Sequence, residues 1–335
     1  DGQPAQALAT LAPVLPLLGE AIERGQRAGR VDVVRTLRVE RARARHLMSQ
    51  YLDKPDIISL RRPGDALAML AEARSELQAV EAEQHHAEIL YLLGSVDGAE
   101  ALVHEGRDHL AAALAAAERA LQLRERVVAE LPQDVEYRDA LVTEAATRGR
   151  LLLRDDRTAE ALADTSRAWS LLAVLEAEHP AGAANWWTRR RPALALAHGR
   201  ALLRNGRHDE AARVLPLALV HAQRLAEAGR ADAPALRALA HAALARLHAG
   251  RDRRTALALA QQAWDEAEPP AGADAPLRRI FLLARADAAQ AAAPLAAADP
   301  LSPWLRRLKE ALEAAHGLLP LAGEPARWRQ ALAAT

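Results

Sequence analysis

An all-α fold is predicted, a right-handed solenoid of about six helical hairpins with capping helices at its C-terminal end. Three observations predict it. Roughly a quarter of the 335 residues are Ala and roughly a sixth Leu, both strong helix formers. Sheet-forming residues are scarce: the aromatics amount to six Trp, three Tyr and a single Phe. A frame of small residues also returns along the chain at nearly constant intervals.

The clearest copy of the frame is Gly199, Gly206, Ala211, Leu215 and Ala218. Gly149, Asp156, Ala161, Thr165 and Ala168 repeat it. The second half recurs as Ala66-Leu70-Ala73, as Ala113-Ala117-Ala120 and as Ala256-Ala260-Ala263, and a partial copy, Gly2, Ala7, Leu11 and Val14, opens the chain. With Ala7, Ala66, Ala113, Ala161, Ala211 and Ala256 taken as equivalent, the intervals are 59, 47, 48, 50 and 45 residues. A small residue lets the two helices of a hairpin approach, and another seven positions on lies on nearly the same face. Gly206 and Gly250 follow helical runs and are expected to be left-handed caps. Pro216 lies inside a predicted second helix and is expected to kink or shorten it. Insertions before the second helix are expected at Lys54–Ser59 and at Gly94–Gly98.

This frame resembles the tetratricopeptide repeat (TPR) family: Gly or Ala early in the first helix, Gly at the turn, Ala twice in the second. The resemblance covers residues 1 to 267, with 268 to 335 expected to be a degenerate repeat and capping helices of the same solenoid. The period is longer than the family's usual one, and Leu152 and Leu202 stand where its first-helix Tyr would be. The chain opens on the second helix of a unit, so a piece of a longer protein is expected. Residues 268 to 302, rich in Pro and Ala, should loosen the solenoid, with closing helices over Leu305–Leu318 and Pro325–Ala334.

Composition limits function. Forty-four basic and 44 acidic residues give a net charge of zero, which removes any global attraction to nucleic acid or anionic membrane. No uninterrupted apolar stretch reaches the ~18–20 residues of a membrane span, so no membrane insertion by this chain is expected. Cysteine is absent, which excludes disulfides, thiolate zinc and cysteine nucleophiles. Only Lys54 and Lys309 are lysines, so an Arg-rich surface carries little information by itself.

A search for chemistry returns little. Phosphate-binding loops, a Gly-x-Ser-x-Gly elbow and kinase catalytic triplets do not occur, and the only Phe, Phe281, lies between Ile280 and Leu282. His85, His86 and Glu88 lack a His-Glu-x-x-His frame, and no metal site and no cofactor are expected. His198, His208, His221, His241 and His248 read as solvated or packed. Asp155-Asp156 and Glu176/Glu178 read as an exposed face paired with Arg. This chain is expected not to be an enzyme.

Two features exceed background. In TPR proteins one set of first-helix positions lines a concave groove where partners bind. That set implies Arg150 and Arg154 in one unit and Arg200 and Arg204 in the next, suited to carboxylates or phosphate. The bland alternative is intramolecular pairing with Asp155, Asp156 or Asp209. The second feature is Trp186-Trp187 beside Arg189-Arg190-Arg191, which reads as core packing, a protein contact or, least, a single-strand nucleic-acid platform.

Two stretches, Ala120–Pro132 and Leu92–Gly98, resemble the C-terminal repeat regions of bacterial Ser/Thr protein kinases. There a cytoplasmic kinase domain is often joined through one membrane span to an extracytoplasmic repeat domain. The resemblance implies a periplasmic sensor in signal transduction, with a protein or peptide partner, for which an acidic one is a candidate, and no nucleic acid. The alternatives are a cytoplasmic TPR scaffold binding peptides in its groove, a peptide-sensing regulator, and an undetected enzyme.

Overall fold

In the computed structural model, residues 4–53, 59–179, 187–273 and 275–296 are described, with seven further residues between 303 and 314. These residues form thirteen long helices and no strand. The order is α1 (Pro4–Leu11), α2 (Val14–Arg27), α3 (Val31–Leu52), α4 (Pro63–Glu83), α5 (Ala87–Gly106), α6 (Leu110–Glu130) and α7 (Val135–Arg154). It continues with α8 (Thr158–Glu178), α9 (Trp187–Arg204), α10 (His208–Glu227), α11 (Ala233–His248), α12 (Arg253–Glu266) and α13 (Ala275–Ala296). The chain divides into two compact units, Asp1–Glu144 and Ala145–Thr335.

In the first unit α2 packs on α3, α3 on α4, α4 on α5 and α5 on α6, around Leu70, Leu77, Val80, Leu90 and Val127. In the second, α8 packs on α9, α9 on α10, α10 on α11 and α11 on α12. α13 then covers both α11 and α12. Within each unit, these helices that follow one another in sequence lie against one another, as in an array whose members cannot bury their apolar faces alone.

The small-residue frame explains the approach. Ala66, Ala113, Ala161, Ala211 and Ala256 are all completely buried. They sit near the start of α4, α6, α8, α10 and α12, the second helices of successive hairpins. The opening copy behaves differently: Ala7 is only partly buried, and α1 contributes no buried residue. An eighteen-residue window within Pro4–Arg27 passes the length and composition test for a membrane span, with mean hydropathy 1.4 and 6% of it buried. Counting only unbroken apolar residues overlooks it, because Gln6 and Thr10 interrupt the run without making it polar.

One turn recurs between helices, closing the first helices α5, α7 and α9 and also α2 and α10. Gly29, Asp108, Asp156, Gly206 and Gly229 have φ between 58° and 76°. The next residue's N–H reaches back to the carbonyl five positions earlier, as in Arg157 to Leu152 at 3.0 Å and Arg207 to Leu202 at 2.9 Å. This is the Schellman closure. Gly250, expected to act likewise, does not have positive φ; Arg251 and Asp252 both bond back to His248 instead.

Three other expectations change. Gly94–Gly98 is no insertion but the middle of α5. Pro216 does not shorten α10, which continues to Glu227; Pro216 and Ala212, whose carbonyl loses its helical partner, both lie on the exposed face. The Pro- and Ala-rich tail does not loosen before 297: α13 buries Phe281, Ala284, Ala288 and Ala292. Of the expected closing helix Leu305–Leu318, Ala311 is buried, as is Trp304 just before it, and Pro325–Ala334 lies outside the described residues.

Gly199 tests the close approach directly. A Cβ there would lie 2.4 Å from Leu215 Cδ2 and 2.7 Å from its Cγ, whereas one at Gly64 would meet nothing within 4 Å. Gly199→Ala is expected to destabilise the second unit by about 1–3 kcal/mol. Gly64→Ala should be neutral or slightly stabilising, since helix propensity then decides. Urea unfolding of both variants checks this, and equal midpoints would remove the close-packing account.

Candidate functional site

The helix positions named as a groove carry arginines that already have partners. Arg200 on α9 donates from Nη2 to Asp287 Oδ2 on α13 and, at 3.4 Å, to the Leu239 carbonyl on α11. Arg246, from α11, holds the same carboxylate as a fork: Nη2 to Oδ1 at 2.9 Å and Nη1 to Oδ2 at 3.1 Å. Its Nη2 also reaches the Asp287 carbonyl and Gln290. Two guanidiniums thus share one carboxylate, a local formal charge of +1 (two positive, one negative). Burial and the neighbouring Arg246 lower the Arg200 pKa against the pull of Asp287. Asp287, which burial alone would raise, is held below the usual carboxylate range by Arg200 and Arg246.

Further along α9, Arg204 pairs with Asp156, the left-handed residue of the α7–α8 turn. Arg150 and Arg154 are partly buried on α7 and also interact with neighbouring groups. Asp209 is taken by Arg251 at 3.3 Å. Arg204 with Asp156 is a pairing the bland alternative named; Arg200 pairs instead with Asp287, and neither Asp287 nor Arg246 was in either reading. Their helices lie far apart in sequence, and no local spacing joins residues 200, 246 and 287.

The tryptophan patch is divided. Trp186 and the side chains of Trp187 and Arg189 lie outside the described residues, although Trp187 opens α9. Arg190 is partly buried with partners of its own, and Arg191 pairs with Glu176 on α8.

The histidines have structural places. His85 bridges Glu81 and Glu130, which raise its pKa, and His86 caps α5 by accepting from the Glu88 N–H at 3.3 Å. His198 stacks on Trp169, with ring centroids 5.8 Å apart. His241 pairs with Glu266 at 2.8 Å. His221 is buried, and burial with Arg191 and Arg224 nearby pushes its pKa down to about 4. Among the described residues no group of three or more His, Asp or Glu side chains is arranged to hold a metal.

A buried polar cluster between α5, α6 and α7 escaped the sequence reading. Arg124 donates to the Tyr91 carbonyl at 2.7 Å and to Ser95 Oγ at 2.9 Å, and its guanidinium lies 4.1 Å above the Tyr91 ring. Glu144 is 3.8 Å from Arg124, and burial, helped by Asp97, pushes its carboxyl up to about 7. Gly94 and Gly98 make the room: a Cβ would meet Arg124 Cζ at 3.2 Å and Glu144 Oε1 at 2.7 Å. Asp97 on the same helix is buried and takes Arg74 at 2.5 Å and Arg119 at 3.2 Å. The available signal was an Arg in a core register, since Leu121, Arg124 and Val127 share one buried face of α6.

No protein-family model and no curated protein matches this chain. Its class is accordingly defined by architecture alone: an all-α protein of consecutively packed helices, closed by recurrent left-handed turns.

Proposed function

We propose that this chain is a non-catalytic binding module with a right-handed, TPR-like superhelical arrangement. On this reading it is the extracytoplasmic sensor region of a bacterial Ser/Thr protein kinase. Five fully buried alanines at repeat spacing support the repeat assignment. The observation that supports the sensor reading is the apolar eighteen-residue window within Pro4–Arg27, whose hydropathy suits a bilayer and of which 6% is buried. A membrane-tethered repeat domain places a protein or peptide ligand on the surface of the array and transmits its binding along the chain.

A second reading, a cytoplasmic scaffold that binds peptides, draws support from charge. Arg24 and Arg27 end the run and Arg30 follows it, and basic residues flanking a span favour the cytoplasmic side. The deciding experiment is to sequence the gene upstream of the codon for Asp1. A kinase domain leading into this chain is the result expected for the sensor. An in-frame start nearby, with only further helical hairpins, overturns it and leaves the scaffold.

A further inference from the structure

We propose that Arg200 and Arg246 form a carboxylate-binding site for an acidic peptide, and that Asp287 occupies this site as a resident counter-ion until the peptide displaces it. The proposal rests on the reading of the chain as a binding module and names the chemistry of its ligand.

The geometry carries the inference. Arg246 holds the Asp287 carboxylate through two parallel N–H donors, the arrangement by which guanidinium recognises a carboxylate terminus or an acidic side chain. Arg200 adds a further donor from a different helix, and its Nε, buried, has no hydrogen-bond partner. One carboxylate therefore leaves donor capacity unused and a positive charge uncompensated. The group is also reachable: the side chains of Arg200, Arg246 and Asp287 are 29%, 33% and 18% exposed. Exchange of the anion requires the partly exposed Asp287 carboxylate to turn away from both guanidiniums, while Arg246 keeps its bond to the Asp287 carbonyl.

The same relation recurs one turn along α9, where Arg204 pairs with Asp156, a residue 66% exposed on a turn. Basic side chains on α9 and α11 are thus matched by carboxylates supplied from other elements, and an acidic peptide offers several carboxylates at once. Replacing two resident counter-ions together is favourable because the second exchange is intramolecular.

The probe is a fluorescent oligo-glutamate peptide, titrated by anisotropy at low salt into the wild-type chain and variants whose folding is verified by circular dichroism. Asp287→Asn removes the competitor and is expected to tighten binding by about tenfold. Arg200→Gln with Arg246→Gln should abolish it. Arg35→Gln with Arg38→Gln, in the first unit, should leave it unchanged, which separates the site from general charge attraction. Binding by Asp287→Asn no tighter than wild type, or equal losses in both arginine pairs, overturns the proposal. If Asp287→Asn does not fold, Arg246→Gln in the otherwise wild-type chain decides: it leaves Arg200 and Asp287 as a neutral pair. A loss of about fivefold or more supports the site, and unchanged binding overturns it. Failure here leaves the module reading standing, because that reading is tested by the gene context.

Discussion

Arg124→Ala is expected to destabilise the first unit by about 4 kcal/mol at pH 8, among the largest effects of any single substitution in this protein. Three losses combine. The Tyr91 carbonyl and Ser95 hydroxyl lose a charged donor, the Tyr91 ring loses the cation above it, and Glu144 stays buried without its counter-charge. The last term depends on pH, since Glu144 takes up a proton near neutrality and then needs no partner. At pH 5 the cost should fall by about 1 kcal/mol or more. A double variant, Arg124→Met with Glu144→Leu, should recover most of the stability, because a well-packed apolar pair often equals or exceeds a buried ion pair. Urea unfolding followed by tyrosine fluorescence reads Arg124→Ala, the double variant and its two single variants, Arg124→Met and Glu144→Leu. If the double variant loses as much as the two single losses summed, the two side chains are not a coupled pair.

Helical content, the equivalence of five alanines and the turn at Asp156 were legible because each is a local or periodic property. Small residues seven apart leave a mark in the sequence whatever they pack against. Gly94–Gly98 was misread for a related reason: a glycine cluster signals a break when nothing reveals that a guanidinium and a carboxyl fill the space above it. The tail was misjudged because Pro counts locally against helix, whereas Phe281 and the buried alanines of α13 gain by packing on α11 and α12. Propensity yields to burial there.

The candidate site was half legible. Arg200 and Arg204 could be placed on one helix face from spacing alone, and the possibility of Asp156 as a partner followed from its place at the turn. Asp287 could not be found in that way. It lies 87 residues from Arg200 along the chain. Its role depends on α13 being a helix that covers α11, the element whose existence local composition argued against. A charged residue on a repeat's first helix thus tells where a ligand would lie, and only the tertiary arrangement tells what already lies there.

Acidification is expected to move the two units in opposite directions. Glu144 has a folded-state pKa raised to about 7, chiefly by burial, with Asp97 adding and Arg124 opposing. Between its ordinary value and 7 the folded first unit binds more protons than the unfolded chain, so its stability falls as pH rises. The contribution is fully present below about pH 4.5 and gone above about pH 8, and amounts to roughly 3 kcal/mol. His221 is the reverse case. Burial and the charges of Arg191 and Arg224 hold its folded pKa down to about 4, so the unfolded chain binds more protons between 4 and 6.5. Stability of the second unit is therefore lost as pH falls through that window, by roughly 3 kcal/mol in all and roughly 2 kcal/mol of it above pH 5. The chain supplies its own reporters: all six Trp lie beyond residue 144, and Tyr51, Tyr91 and Tyr137 lie before it. Denaturant midpoints between about pH 5 and 8 should rise by the tyrosine signal on acidification and fall by the tryptophan signal. Glu144→Gln should flatten the first trend alone, and His221→Gln the second alone. A Glu144→Gln variant that keeps the wild-type slope would show that this carboxyl titrates in its ordinary range, and would remove the physical reason for placing Gly98 beneath it.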